Sequence, residues 1–426
     1  MDKLRTKYNN AKDDHERKNT ALEIYNHLLN SRNDYQTKNM QDYVEYTLEY
    51  ISIDLPKKST IAIYCGKGWE KWDPDSVNNG IAGSEEAVIY ASQVLVKRGY
   101  KVIVFNTPPE KSWWSMSNIN PQYTNYNDYM AYPGKFDILI IWRNQNFPDQ
   151  MLNKANRIYH WLHDVGSINN PYCVTKQSTG VFFLSTFHRN SYPQITCDNC
   201  IAGNGIIPEQ FAKCGIIKRD KYKCIYASNY TRGLSILLSV WPFVKQQIPQ
   251  ATLDIYYGRE TYNALDKNQF QILINTLTSL KPLGVNEMGK VGHQQLADVM
   301  CSASVWSYPC LGNSETFCIT AVKAQAAGLI PVCATPGALK EVLLTEESSI
   351  MDEIITADHV VQYRTMLINT LTSMNDDSDE NVIKIQVRRN KLREHGLKYT
   401  WDRVVDKWLE LDTSCVKKCE GECDCC

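Results

Sequence analysis

The sequence predicts an α/β protein built from two doubly wound, Rossmann-like domains, and three observations predict it. Strand-length runs of Ile, Val, Leu and Phe, such as Phe136 to Trp142 (FDILIIW), alternate with segments whose apolar residues recur at helical spacing. Near-continuous apolar strands of this kind belong to parallel sheets covered by helices on both faces. The alternation occurs twice, from about residue 59 and again from about residue 222. The length of 426 residues exceeds what one core sustains; at ~150 residues per domain it leaves room for two or three.

The elements follow in order. Ala21, Leu22, Ile24, Tyr25, Leu28 and Leu29 recur at helical spacing, as do Tyr43, Tyr46 and Tyr50. They predict a helical appendage that packs either on the main body or on a partner. STIAIYCG (59–66) is a buried strand, and Ala87, Val88, Ala91, Val94 and Leu95 then share one helical face. KVIVF (101–105), FDILIIW (136–142), RIYHWLHD (157–164) and GVFFLST (180–186) complete the first set of strands. In the second series YKCIYAS, ATLDIYYG (251–258), SVWSYP (304–309) and LIPVCAT are strands. GLSILLSVWPFVKQQ, QFQILINTLTSL, HQQLADVMCSA and ETFCITAVKAQAAG are the helices between them. From about 358 the chain reads as helical, with NDDSDE (375–380) as a solvated loop and TWDRVVDKWLEL (400–411) as the last helix. The predicted division is 1–55 appendage, 56–205 first domain, 206–395 second domain, 396–411 a helix crossing back to the first, and 412–426 a Cys-rich tail. Ligands of such sheets bind outside the carboxyl ends of the strands, so two facing sheets predict a shared cleft.

Composition excludes several classes. Hydrophobic residues at 43% and charged residues at 22% describe a globular chain rather than a disordered one. Lys plus Arg number 46 and Asp plus Glu 47, giving a net charge of −1. That lacks the field of a nucleic-acid binder. The N-terminus MDKLRTKYNNAKDDHERKN has no apolar core of a signal peptide, and no apolar run approaches the ~20 residues that span a bilayer. A cytoplasmic protein with reduced thiols is the expectation. Most of the 15 Cys then serve as small hydrophobes. The tail from Cys415 to Cys426 is open to soft-metal binding, disorder or cross-linking, and Cys197-Asp-Asn-Cys200 reads as structural.

Cofactor motifs are missing. GKGWEKW (66–72) supplies two of the three glycines of a dinucleotide fingerprint, with no helix following at once. There is no GxxxxGK[ST] loop, no GxSxG elbow and no zinc spacing in the body of the chain. Asp73-Pro74-Asp75 has the letters of a metal-binding DxD, but Pro between the acids reads as a turn. No cofactor and no catalytic metal are expected.

Three segments carry the chemistry. Gly80-Ile-Ala-Gly83-Ser84-Glu85-Glu86 opens a helix; Ile225-Tyr-Ala-Ser228-Asn-Tyr-Thr-Arg232-Gly233-Leu234 follows the first strand of the second series; Gly312-Asn-Ser-Glu315-Thr-Phe-Cys-Ile-Thr-Ala-Val-Lys323-Ala-Gln-Ala-Ala-Gly328 opens a later helix. Together they resemble the two-domain glycosyltransferases of the GT-B fold, most closely the family-4 type, from about residue 59 to 411. The resemblance implies transfer of a sugar from a nucleotide-sugar donor to a glycan, lipid or protein acceptor, with retention of configuration.

It also implies roles. Gly83, without a side chain, would let backbone amides approach the donor phosphates, with Ser84 on the acceptor side; Glu85 and Glu86 read either as site residues or as first-turn carboxylates. Arg232 matches the basic residue that holds the pyrophosphate and stabilises its departure. The family's second basic residue is absent nearby, and Lys290 is the candidate replacement. Glu315 matches the first acid of an E-x7-E motif, hydrogen-bonding donor-sugar hydroxyls. Ser314 would cap the helix and bring the amides of Thr316 and Phe317 to its positive end. Lys323 stands where the family's ribose-binding Glu would be. His163 matches the His near the reacting carbon, Asp164 and His188 fall on the acceptor side, and His160 faces away as a structural residue. Two rival readings remain open: a catalytically silent nucleotide-sugar-binding or scaffold protein, and a nucleotide-sugar epimerase.

Overall fold

The computed structural model describes residues 59–143, 147, 149–165, 177–258, 267–312 and 315–420, together with 6, 7, 10, 16, 20 and 23. Most of the expected appendage, Ser314, and the cysteines Cys423, Cys425 and Cys426 lie outside the described residues. Within the appendage, residues 6, 7, 16, 20 and 23 are helical, and Thr20 Oγ1 donates to the Glu16 carbonyl one turn back.

The first sheet has seven strands: β1 Thr60–Tyr64, β2 Lys101–Asn106, β3 Gln122–Asn125, β4 Phe136–Trp142, β5 Ala155–Trp161, β6 Gly180–Phe183 and β7 Asn199–Ile201, in the order β3-β2-β1-β4-β5-β6-β7. The second has six: β8 Lys223–Ala227, β9 Thr252–Tyr256, β10 Val285–Gly289, β11 Val305–Tyr308, β12 Ile330–Ala334 and β13 Ser349–Met351, in the order β10-β9-β8-β11-β12-β13. All described strand pairs are parallel. In each sheet the winding reverses beside its first strand, between β1 and β4 and between β8 and β11. This is the doubly wound pattern the sequence predicts. Central strands are apolar throughout because both faces are covered: Ile61, Ala62, Ile63, Val102, Ile103 and Leu139 are fully buried.

The compact units are Met1–Pro74, Val88–Trp161 and Thr175–Thr179 on one side, and Asp75–Ala87, Leu162–Val174 and Gly180–Cys426 on the other. Gly80, Gly83, Glu86, His163, Arg232, Lys290, Glu315 and Lys323 all belong to the second unit. No helix among the described residues is long and apolar enough to cross a membrane.

Three sequence expectations need correction. The last helix is Trp401–Glu420, longer than 400–411, because Cys415 extends the stripe of Val404, Trp408 and Leu411 and is itself buried. The acidic stretch is only partly a loop: Ser378 caps a helix Asp379–Leu397, accepting from the Asn381 amide, so Asp379 and Glu380 occupy a favourable first turn. The thiols are not all reduced, since Cys214 and Cys301 form a disulfide across 87 residues. It ties the segment before β8 to the helix His293–Ser302.

Candidate active site

The switch point of the second sheet organises the site. After β8 the chain turns through Asn229, whose Oδ1 accepts from the amide and hydroxyl of Thr231 at 3.0 and 2.8 Å. Gly233 follows with φ 101° before the helix Leu234–Gln247. A Cβ at Gly233 would run into the Pro309 carbonyl, so only glycine lets the β8 turn seat against the loop after β11. Arg232 is thereby fixed beside the end of β11. Tyr308, the last residue of that strand, donates its hydroxyl to Glu315 Oε1 at 2.6 Å, and Arg232 Nε lies 4.0 Å from the same oxygen. Burial, reinforced by Glu315, keeps the Tyr308 phenol far above its ordinary pKa, so it remains a donor. The Arg232 side chain is 31% exposed and that of Glu315 13%, so both remain reachable from solvent. Sequence reasoning missed Tyr308; its position at the end of SVWSYP was the available signal.

Glu315 does not sit on a helix N-terminus. The helix is Ile319–Ala326, preceded by Cys318 in the left-handed region at φ 72°. Tertiary hydrogen bonds hold the preceding residues out of the helix. The Ala338 amide donates to the Glu315 carbonyl, Thr316 Oγ1 to the His163 carbonyl at 2.8 Å, and Ser185 Oγ to the Thr316 carbonyl at 2.8 Å. Glu315 and Lys323 are therefore not two turns apart on one helix. The same bonds bring His163, just beyond β5 and buried, next to the Glu315 segment. Phe317 is buried, and a Cβ at Gly203 would lie 3.0 Å from its ring; it acts as packing.

The first glycine motif also changes. Gly83 begins the helix Gly83–Lys97, and a Cβ there would make ordinary contact with Ile319. The required glycine is Gly80, at φ 91°, where a Cβ would meet the Val291 carbonyl at 2.5 Å and the Lys290 side chain. Lys290, just beyond β10, thus borders the Gly80 turn. Ser84 donates to Glu85 Oε2 at 2.7 Å. Glu86 is more than a first-turn carboxylate: it is buried and ion-paired with buried Lys323 at 2.7 Å, with His293 Nδ1 at 3.7 Å. Lys323 is engaged by a carboxylate 237 residues away. Burial holds the His293 imidazole below its ordinary pKa, although Glu86 opposes this.

The acceptor-side residues separate. Asp164 is half-buried, and its carbonyl accepts from His188 Nε2 at 3.1 Å and from the Tyr192 hydroxyl. His188 has no exposed surface, and its Nδ1 accepts from the Leu184 amide at 3.3 Å. Burial pushes it down to about 4. With both ring nitrogens engaged, His188 is a fixed part of the packing around β6 rather than an acceptor contact. His160 is likewise buried, bonded to Ser178 Oγ and pushed down to about 4. Asp73 is buried and accepts from Ser112 Oγ at 2.6 Å, and a 3-10 turn Pro74–Asn78 follows it. No group of three or more His, Cys, Asp or Glu side chains suited to a metal ion occurs among the described residues.

No protein-family model and no curated protein sequence matches the chain. Solved structures do. Sucrose-phosphate synthase from Thermosynechococcus elongatus superposes at TM-score 0.63 with 14% identity, covering 85% of this chain and 100% of the other. The chain has the GT-B glycosyltransferase fold. The pneumococcal O-GlcNAc transferase GtfA in complex with UDP and GlcNAc shares this GT-B fold at TM-score 0.59, 12% identity, and coverage of 84% and 99%. Anabaena HepE in complex with UDP-glucose shares it at TM-score 0.58, 12% identity, and coverage of 83% and 99%. In GT-B terms, Arg232 and Glu315 follow the two strands that flank the switch point of the second sheet.

Proposed function

We propose that this GT-B chain transfers a sugar from a nucleotide-sugar donor to an acceptor hydroxyl, with retention at the anomeric carbon. The observation that carries the reading is the Arg232–Glu315–Tyr308 cluster at the carboxyl ends of β8 and β11. In this reading Arg232 faces the donor diphosphate, and Glu315, oriented by Tyr308, accepts from hydroxyls of the sugar. The bond from the anomeric carbon to the leaving phosphate oxygen breaks as the acceptor oxygen bonds that carbon. The acceptor proton passes to the departing phosphate. Negative charge grows on that phosphate, and a guanidinium stabilises it without a metal ion. UDP sugars are the first donors to test, since UDP and UDP-glucose occupy two of the similar structures.

One observation favours a second reading. Lys323 is held by Glu86, so the ribose position of the family motif presents no carboxylate; this departure favours a catalytically silent binding protein that keeps the fold. Calorimetry with a nucleotide-sugar panel, followed by hydrolysis and transfer assays on the donors that bind, separates the two. Turnover that Glu315→Ala abolishes supports transfer. Tight binding with neither hydrolysis nor transfer selects the second reading.

A further inference from the structure

The amino end of the second sheet carries a different kind of site. Residues preceding β8, β11 and β12, with the helix Asp379–Leu397, line a cavity of about 510 Å3. Its wall includes Lys218, Arg219, Lys221, Arg389 and Arg393. Of the two acids there, Asp377 pairs with Lys221. Among the described residues, no carboxylate hydrogen-bonds any of the three arginines.

Two of the guanidiniums are held by peptide carbonyls. Arg219 donates to the Ala303 and Ala327 carbonyls, at the C-termini of the helices His293–Ser302 and Ile319–Ala326. Arg393 donates to the Ala326 and Phe211 carbonyls at 2.7 and 2.9 Å. Cations at helix C-termini explain these two without a ligand. Arg389 is not explained that way. It is 7% exposed; Nη2 reaches Ser304 Oγ at 3.1 Å, and Nη1 is buried with no hydrogen-bond partner. Burial, with Arg219 and Arg388 nearby, pushes Arg389 down to about 9. Burial, with Arg393, pushes Arg219 down to about 10. A buried guanidinium without an anion is costly, and an open buried donor adds to that cost.

We propose that this cavity binds a phosphate-bearing anion anchored by Arg389, at a site separate from the Arg232–Glu315 cluster. The planar fork of Arg matches phosphate oxygens in pairs, and the cavity has the size of a small-metabolite pocket. Free phosphate and the phosphoryl group of a sugar phosphate offer the same chemistry.

The test is thermal shift and calorimetry on the full chain with inorganic phosphate and with a hexose 6-phosphate, using the neutral hexose and chloride at equal ionic strength as controls. Phosphate should stabilise the protein, the shift should persist in Arg232→Met, and Arg389→Met should abolish it. Tighter binding of the hexose phosphate would identify an organic ligand; equal binding would identify free phosphate. If Arg389→Met does not fold, Arg389→Lys keeps the charge and removes the fork, and a weakening of tenfold or more is expected. No shift beyond that of chloride, a shift lost in Arg232→Met, or unchanged affinity in the Arg389 variant would overturn the proposal.

Discussion

At the carboxyl end of the second sheet Arg232 faces Glu315, and nearby Lys323 faces Glu86. At the amino end Arg219 and Arg393 rest on peptide carbonyls, and Arg389 on a single hydroxyl and a sulfur. An ion pair neutralises itself, so taking away one member strands the other in low dielectric. A cation held by carbonyls keeps its net charge, and its removal leaves only dipoles behind. The second arrangement presents more charge to a ligand and depends less on any one partner for folding. Both ends also meet through the same helices: His293–Ser302 and Ile319–Ala326 begin near the candidate active site and end at the arginine cavity.

The sharpest way to break this contrast is Lys323→Met. It leaves the Glu86 carboxylate buried without its cation, so unfolding in urea should show a loss of about 3–5 kcal/mol. The double change Lys323→Met with Glu86→Leu should recover most of it. A single variant costing under about 1 kcal/mol would show that the pair is solvated and the contrast unfounded. Next is Arg232→Met, for which turnover should fall by about 10²–10³-fold, the scale of losing one preorganised charge-stabilising donor. Its stability should change little, because this side chain is partly exposed. Unchanged turnover would remove Arg232 from the site.

Much of this was legible in the sequence, for physical reasons. A strand buried on both faces must be apolar throughout, so β1, β2, β4, β8 and β12 announce themselves. The strands not predicted, β3, β7, β10 and β13, are the four sheet edges. There half-exposure breaks the run, as in VNEMG of β10 with only Val285 buried. Local motifs mark Arg232 and Glu315, and the fold places them together. What failed was conformation set from a distance. Glu315 to Phe317 look helical, yet bonds to His163, Ser185 and Ala338 hold them out of the helix. The local motif points to Gly83 where Gly80 carries the constraint, because the Val291 carbonyl that excludes a side chain there leaves no mark in the neighbouring sequence. The Lys323–Glu86 pair spans 237 residues and leaves no local mark.

At the amino end the effects should be smaller. Arg219→Met deprives two helix-terminal carbonyls of their donor, and the expected loss is about 1–3 kcal/mol in the same urea experiment. A loss as large as that of Lys323→Met would erase the difference between the two ends.

The smallest effect, and the most diagnostic, belongs to Arg389→Met. The substitution gives up one bond to Ser304 Oγ and relieves an open buried donor, so near pH 7 stability should change by about 1 kcal/mol or less. Saturating phosphate should then favour the wild type over Arg389→Met, because a bound anion offsets the desolvation of the guanidinium and only the protein that binds it is stabilised. A difference that phosphate leaves unchanged would mean that Arg389 is already compensated and that the two ends of the sheet hold their cations alike.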